Sequence, residues 1–394
     1  MQPTPFHSRT APLCVSNSWL EWAGYQSATM YALEHTHEYH AVRMATALFD
    51  VSPLYKFHIH GPDAMRLLDR VLTRDVTRCA VGQVMYSAWC DDAGHIIDDG
   101  TLARLEDNFY RLTTADPSLA WLQDNGYGMN VQVEDVSESL AALALQGPTS
   151  RDLLQSAATT NLSRLGYFRA TRTGIGNARV TVTRTGYTGD LGYEVWIEPD
   201  DAEHVWDVLM DRGRSYAIKP AGTLALEMVR IEAGLLLSEV DFISCRKTIF
   251  EVQKSTPLEL GLGWMVHLDK PFFVGQQAIR EEKARGPAWN AVGVEIDVLA
   301  LEAIYAEFGM PLHLPWEAWD TPVPVYVDGQ QVGKATSGTW SPTLKKYVAL
   351  ARVRPQHAAL GSTLDIEMTV EAVRRTVPAK VVKTPFFDPA RKRS

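Results

Sequence analysis

The chain has 394 residues, of which 46% are hydrophobic and 22% are charged. These proportions are ordinary for a globular protein, and the length predicts two or three domains rather than a single core. A formal net charge of −9 argues against a nucleic-acid-binding or anionic-membrane-binding surface, because both need a basic face. Only the tail, with Arg391, Lys392 and Arg393, is locally basic, and we expect it to be solvated.

The four cysteines, Cys14, Cys79, Cys90 and Cys245, lack the close spacing of a zinc site or a redox dithiol. Scattered cysteines in a chain of this size are typical of reduced, buried thiols in a cytosolic protein. No apolar run approaches the length of a membrane span, and the N-terminus does not resemble a signal peptide. We therefore expect a soluble, cytoplasmic protein with no nucleic-acid or membrane partner.

Residues 34–43 are predicted to form a helix, and residues 55–60 alternate apolar and polar side chains as a half-buried strand does. A helix is expected after Gly61-Pro62-Asp63, where apolar residues recur at helical spacing. Residues 84–105 predict two strands joined by a turn at positions 91–94. A strand over 109–113 and a helix starting at 116 follow.

Residues 140–145 predict a buried strand, and a helix follows from Thr149. A strand pair within 179–198 and an amphipathic helix come next, and this irregular order favours an α+β fold. Residues 283–287 are a candidate linker, beyond which short β-rich runs include a hairpin on an Asp-Gly turn at 326–332. We predict a main region over residues 1–285, comprising two subdomains, and a C-terminal β-domain over 286–394.

One acidic pair is a candidate for chemistry. Asp98 and Asp99 follow two isoleucines in a strand-like stretch, GHIIDDGTLARL. Successive strand residues point to opposite faces, so only one of the two carboxylates can face a given pocket. A solvated turn is the alternative interpretation.

A glycine-rich segment, RTGYTGDLGYEVWI, is a second candidate. Gly186, Gly189 and Gly192 recur every three residues, but a strand rather than a helix follows, so a phosphate loop is disfavoured. The segment predicts a turn that presents Tyr187 and Glu194, although a purely structural turn remains open.

The histidine-rich stretch at residues 35–40 does not have zinc-protease spacing, because His37 and His40 are three residues apart. We interpret it as a solvated helical face and predict no metal site. Motifs of serine hydrolases, P-loop ATPases and dinucleotide-dependent oxidoreductases are also missing. Composition and motifs alone indicate a multi-domain α+β enzyme of unnamed substrate.

Six segments in the right order resemble the glycine cleavage T-protein family, over nearly the whole chain. They are EYHAVRMATALFDVSPLYKFHIHGPDA, GQVMYSAWCDDAGHIIDDG, RTGYTGDLGYEVWI, KPAGTLALEMVRIEAGLLL, LDKPFFVGQQAI and ATSGTWSPTLKKYVALARV. The resemblance implies a three-domain cloverleaf around a folate channel, with two interleaved α+β domains and a C-terminal β-barrel. It also implies tetrahydrofolate as the cofactor.

The resemblance further assigns roles to particular residues. Asp99 matches the essential carboxylate of the family, and the folate-contacting positions match Tyr86, Asp99, Thr101, Tyr187, Glu194 and Arg230. Candidates for contacting the one-carbon donor are Tyr25, Tyr31 and Leu54. Losing Glu194 or Arg230 is expected chiefly to weaken folate binding.

The chain also departs from the family pattern. Ala115 replaces an asparagine of the folate pocket, Ser52-Pro53-Leu54 changes the donor entrance, and Glu227 replaces an aspartate beside a lost arginine. These differences lie mainly on the donor side. They favour a demethylase that moves a methyl group from a small N-, S- or O-methylated compound to tetrahydrofolate. The alternatives are a glycine cleavage aminomethyltransferase, which has a lipoyl H-protein as its partner, and a non-catalytic folate-binding regulator.

Overall fold

The computed structural model describes residues 1–394 and contains nineteen strands. In chain order these are β1 (Ser18–Trp22), β2 (Tyr25–Met30), β3 (Thr46–Asp50), β4 (Tyr55–His60), β5 (Gln83–Cys90), β6 (Ile96–Glu106), β7 (Phe109–Thr114), β8 (Gln132–Asp135), β9 (Ala141–Gln146), β10 (Ala170–Ile175), β11 (Ala178–Thr183), β12 (Gly192–Ile197), β13 (Ile218–Pro220), β14 (Asn290–Ile296), β15 (Val323–Val327), β16 (Gln330–Ser341), β17 (Lys346–Val353), β18 (Thr363–Val370) and β19 (Val373–Val382).

Nine α-helices accompany the strands. They are α1 (His7–Thr10), α2 (Thr36–Met44), α3 (Ala64–Val71), α4 (Leu119–Asn125), α5 (Ser150–Ala157), α6 (Ala202–Gly213), α7 (Thr223–Glu232), α8 (Gln276–Arg285) and α9 (Val298–Glu307). No helix among them combines the length and the apolar character needed to cross a membrane.

The first domain is built on a five-stranded sheet with the strand order β5-β6-β7-β4-β8. Its pairings are antiparallel, and the predicted hairpin of β5 and β6 turns at Asp91–His95. One face of the sheet is apolar and, together with helices α3 and α4, encloses a core that contains Leu68, Leu102, Leu112 and Leu122. Because side chains alternate along a strand, the opposite face is free to carry polar groups.

The second domain is built on a six-stranded sheet with the order β10-β11-β12-β9-β3-β13. Its outer face packs on α5 and α6 around Leu143, Leu154, Val195 and Trp206. Strand β3 precedes the whole first sheet in the sequence, while β9–β13 follow it. The chain therefore leaves this domain and returns to it, which confirms the interleaved α+β arrangement.

The third domain is a closed barrel with the strand order β14-β17-β16-β15-β18-β19. The predicted hairpin is formed by β15 and β16, and Asp328 and Gly329 both have positive φ angles, as a tight two-residue turn requires. Helix α9 interrupts the expected run of strands, with the Asp297 side chain accepting hydrogen bonds from two backbone N–H groups at its start. The barrel confirms the predicted fold class.

The candidate linker is partly helical. Helix α8 continues through Lys283 to Arg285, and Gly286, with a φ of 87°, ends it. Strand β14 begins at Asn290, so only the short segment 286–289 separates the helix from the barrel. The division of the chain after residue 285 stays a prediction.

The histidine-rich segment is only partly the solvated face that the sequence predicted: His37 is exposed, but other side chains are buried. His35 is 1% exposed and packs against Trp316, with ring centroids 5.1 Å apart. Glu38 is also buried, and its carboxylate accepts hydrogen bonds from the backbone N–H groups of Tyr31 and Gly222 at 2.6 and 2.8 Å. These partners lie outside the helix, so the helical pattern alone could not reveal the burial. No group of three or more histidine, cysteine or acidic residues is arranged to hold a metal ion.

Candidate functional site

The five-stranded and six-stranded sheets pack with their inner faces toward each other. On the five-stranded sheet, Tyr86 pairs with Thr101, Thr101 with Thr113, and Ala103 with Arg111. Paired residues of antiparallel strands point to the same side, so these side chains share the face opposite the apolar core. Arg111 reaches across to the second sheet, where its guanidinium carbon lies 3.7 Å from the centre of the Trp196 ring. The space between the sheets is the candidate site.

Asp98 and Asp99 occupy opposite faces of β6, as strand alternation predicted. The Asp98 carboxylate is fully buried and accepts hydrogen bonds from the backbone N–H groups of Asp99 and Asp116 at 2.8 and 2.9 Å. Asp99 instead faces the site and accepts a hydrogen bond from the Tyr86 hydroxyl. The pair is therefore not a solvated turn: Asp98 fixes the backbone, and Asp99 carries the carboxylate presented to the site.

Burial raises the pKa of Asp99 to about 6, with the Tyr86 hydrogen bond acting in the opposite direction. A carboxyl group with such a pKa exchanges its proton readily near neutral pH. The strand is tightly packed just beyond it, because a Cβ on Gly100 would lie 2.1 Å from the carbonyl oxygen of Thr113. Only glycine permits this approach, which holds β6 and β7 together beside Asp99.

Two tyrosines lie near Asp99. The Tyr86 ring lies 6.2 Å from the Trp264 ring, which is 61% exposed at the outer side of the site. The Tyr187 hydroxyl donates to the carbonyl oxygen of Leu236. Burial raises the pKa of Tyr187 well above its usual value, and the charges of Arg230 and Asp99 both act on it. The two rings and the carboxylate are therefore brought together.

Glu194 lies on β12, beyond the glycine-rich turn rather than within it. Its Oε2 accepts hydrogen bonds from the hydroxyls of Thr183 and Thr185 at 3.1 and 2.6 Å. Burial raises the pKa of Glu194, and these hydroxyls oppose the shift. Its Oε1 accepts no hydrogen bond from the protein, so it is free to accept one from a ligand.

Arg230 links α7 to the barrel. Its Nε donates to Glu227 at 2.9 Å, and its Nη1 donates to Asp241 and to the Ser337 hydroxyl, the latter at 3.1 Å. Although burial opposes ionisation, the carboxylates of Asp241 and Glu227 raise the pKa of Arg230 above its ordinary value. Only Nη2 lacks a partner. Most of the guanidinium is therefore committed to the domain contact.

The three donor-contact candidates occupy different places. Leu54 packs on the same apolar cluster as Tyr187 and Trp196, on the inner face of the second sheet. Tyr31 lies under the first hairpin, where it lines a cleft with Trp19 and Asp50. Tyr25 is on β2 of that hairpin and is 8% exposed. Neither Tyr25 nor Tyr31 forms a hydrogen bond with the residues around Asp99.

The basic tail is only partly solvated: Arg393 is exposed as expected, but Arg391 is held against the protein. Arg391 forms two hydrogen bonds with the buried carboxylate of Asp190, at 2.7 and 2.8 Å. The Arg43 guanidinium lies over the Phe387 ring at 4.2 Å. Asp190 belongs to the turn that presents Tyr187, so the tail braces that turn. The partners are some 200 residues apart in sequence, which is why local composition gave no sign of them.

Sequence reasoning missed Arg111 and Trp264. Arg111 is two residues before Thr113 in a strand of otherwise apolar and small side chains, so alternation was the available signal. Alternation does not say which face meets a second sheet. Trp264 lies outside any regular strand, and only its contact with Tyr86 and the stacking of Arg74 at 5.3 Å reveal its position.

Known proteins resemble this chain along most of its length. Residues 14–270 match the model of the GCVT N-terminal domain, and residues 319–388 match that of the glycine cleavage T-protein C-terminal barrel domain. An aminomethyltransferase of Halothermothrix orenii is 33% identical over 93% of this chain and 95% of its own. An aminomethyltransferase of Rubrobacter xylanophilus is 35% identical over 93% and 90%.

A trimethylamine-oxide aldolase of Ruegeria pomeroyi is 34% identical over 99% of this chain but only 47% of its own length. Among solved structures, the glycine cleavage system aminomethyltransferase T of Bartonella henselae superposes with a TM-score of 0.83. It covers 98% of both chains at 23% identity, which is evidence for a shared fold. With both domain models matched and relatives aligned along nearly the whole length, the chain belongs to the glycine cleavage T-protein family of tetrahydrofolate-dependent transferases.

Proposed function

We propose that the chain transfers the carbon of an aminomethyl group to tetrahydrofolate, with a lipoyl H-protein carrying the donor. The observation that carries this proposal is Asp99, a carboxylate with a pKa of about 6 that faces the space between the two sheets. Relatives named aminomethyltransferase that align over nine-tenths of the chain support it further. The ranking of the two donors is therefore the reverse of the one that the sequence favoured.

The residues around Asp99 are suited to hold tetrahydrofolate. Tyr86 and Tyr187 offer aromatic surfaces on which a flat heterocycle can pack, and Thr101 lies on the same face. The unpartnered Oε1 of Glu194 is an acceptor for the amino group and ring N–H of a pterin. Nη2 of Arg230 also lacks a protein partner, and we infer that it donates a hydrogen bond to tetrahydrofolate.

In the reaction, tetrahydrofolate supplies the nitrogen atoms that accept the carbon, and their two protons leave with ammonia and the lipoyl thiol. Asp99 accepts a proton at its carboxylate as the new bond forms, and its pKa lets it release that proton again near neutral pH. Tyr86 holds one carboxylate oxygen and so orients the other toward the substrates. Positioning of this kind supplies roughly 7–11 kcal/mol when both reactants are held in reactive geometry.

Demethylation of a small methylated compound is the second candidate. Its support is the trimethylamine-oxide aldolase of Ruegeria pomeroyi, which aligns with 99% of this chain at 34% identity. The donor-side sequence Ser52-Pro53-Leu54 also departs from the pattern of the family, and Leu54 packs on the same apolar cluster as Tyr187. A small donor would reach Asp99 without a carrier protein.

Mass spectrometry of the folate pool tests both proposals. The protein is incubated anaerobically with tetrahydrofolate and either aminomethyl-loaded H-protein or a panel of methylated amines, sulfonium compounds and aryl methyl ethers. Methylene-tetrahydrofolate formed only with H-protein supports aminomethyl transfer. A one-carbon folate formed with a small donor and without H-protein rejects it in favour of demethylation. The Asp99→Asn variant is the matched control and is expected to form neither product.

A further inference from the structure

Arg111 is a buried cation without a protein partner. It is 2% exposed, its Nε has no hydrogen-bond partner, and its guanidinium forms no ion pair. Its guanidinium carbon lies 3.7 Å from the centre of the Trp196 ring, and this stacking leaves the N–H groups along the edge of the guanidinium unused. These donors lie between the two sheets, on the face that carries Asp99 and Thr101.

The electrostatic surroundings do not explain why the cation is retained. Burial lowers the pKa of Arg111 to about 9, although Glu194 acts to raise it. The neighbouring strand adds no compensating anion, because Lys56 and His58 are the residues beside it, and Arg111 contributes to lowering the pKa values of both. A buried charged group without a hydrogen-bonding partner destabilises the folded state.

Glu194 provides an acceptor that complements the donors of Arg111. Its charge acts on Arg111, yet the two side chains form neither a hydrogen bond nor an ion pair, and Oε1 of Glu194 has no protein partner. An acceptor on one sheet thus faces a donor on the other across the same space. A ligand that joins them must present donors beside an acceptor.

The amino-pyrimidinone edge of a pterin has this pattern. Its amino group and ring N–H are donors, and the adjacent ring carbonyl is an acceptor. We propose that Arg111 is a pterin-binding residue that donates to the ring carbonyl of tetrahydrofolate while Glu194 accepts from the amino group and ring N–H. This inference rests on the proposed function, in which Glu194 contacts the pterin, and adds the donor that completes recognition.

The experiment compares three variants with the wild-type protein. Arg111→Met keeps the length of the side chain but removes the donors, and Arg111→Lys keeps the charge but loses the planar fork. Arg104→Met is the matched control, because Arg104 lies on β6 of the same sheet and donates to the carbonyls of Cys79 and Asp107, both at 2.8 Å. Each protein is titrated calorimetrically with 5-formyl-tetrahydrofolate, and its thermal midpoint is measured with and without this ligand.

We expect Arg111→Met to weaken folate binding roughly 10- to 100-fold, as the loss of a charge-assisted hydrogen bond does, with Arg111→Lys between it and the wild type. Without ligand, the midpoint of Arg111→Met should equal or exceed that of the wild type, since an uncompensated buried charge has been removed. The Arg104→Met control should show the reverse: unchanged affinity and a lower midpoint.

An unchanged dissociation constant in Arg111→Met, or a lower midpoint without ligand, would overturn the inference by making Arg111 a structural residue. The proposed function would survive that result, because turnover with H-protein does not depend on this assignment. A wild-type protein that binds no folate would instead remove the proposed function, and the inference with it.

Discussion

Two buried arginines that line the site differ in whether the protein provides acceptors for their N–H groups. Arg230, at the contact with the barrel, is surrounded by Glu227, Asp241 and Ser337. Arg111, between the sheets, has an aromatic ring and no acceptor. The protein compensates the first charge with its own carboxylates, whereas for the second we propose that bound folate supplies the missing acceptor. We therefore expect substitution of Arg230 to act mainly on stability and substitution of Arg111 to act mainly on folate binding.

Substitution of Asp99, which we propose faces the substrates, is expected to have the largest effect. Asp99→Asn should lower turnover by roughly 10²–10⁴-fold, the range for loss of an acid–base group, while folate affinity changes little. Steady-state kinetics and a folate titration measure the two quantities. Asp92→Asn, in the exposed turn of the same hairpin, is the control. Turnover like that of the wild type would remove Asp99 from the catalytic position.

Substitution of Arg230 tests the other half of the comparison, the contribution of a compensated arginine to stability. Arg230→Met leaves the carboxylate of Asp241 buried without its cation, and breaking a buried ion pair costs roughly 3–5 kcal/mol. Urea denaturation should therefore show a lower free energy of unfolding, whereas Arg111→Met should show no loss. Equal losses in both variants would contradict the contrast drawn between the two arginines.

Glu194 should affect binding more than stability or turnover. Glu194→Ala removes the free Oε1 acceptor, and the loss of a charge-assisted hydrogen bond of about 1.5–3 kcal/mol predicts a roughly 10- to 100-fold weaker folate complex. Calorimetric titration measures the change, and Glu198→Ala, an exposed residue beyond the end of the same strand, serves as the control. Unchanged affinity would remove Glu194 from the pterin site, and Arg111 would lose its complement.

The pH profile gives the smallest and most specific effect. If ionised Asp99 accepts the proton, turnover should fall about tenfold per pH unit below its pKa of about 6 and level off above it. Tyr86 lowers this pKa through its hydrogen bond, so Tyr86→Phe should move the acid limb to higher pH. A limb that stays in place would assign the titration to another group.

The raised pKa of Asp99 also determines how this residue affects the stability of the folded protein. Its folded pKa lies above the value of about 3.9 expected in the unfolded chain, so ionisation opposes folding as the pH rises from that value through 6. Asp99→Asn should therefore be more stable than the wild type above pH 6. Asp99 and Arg111 would then share one property, a cost in stability that is retained for the substrate.

Much of the fold followed from the sequence because its signals are local. Side-chain alternation predicted β4. Turn-like segments between strand-like runs predicted the paired strands β5 and β6, the strand pair within residues 179–198 and, at Asp328-Gly329, the barrel hairpin. The order of the family-like segments predicted three domains. Alternation also separated Asp98 from Asp99 correctly, since neighbouring strand residues must face opposite ways.

Tertiary structure alone decided which charges are buried and what surrounds them. His35, Glu38 and Arg391 are held by partners far away in the sequence, so local pattern predicted them to be solvated. Arg111 faces Trp196 because two sheets, separated and interleaved along the chain, meet at that point. A strand's sequence determines which residues share a face. Which face becomes the wall of a site depends on what the rest of the chain brings against it.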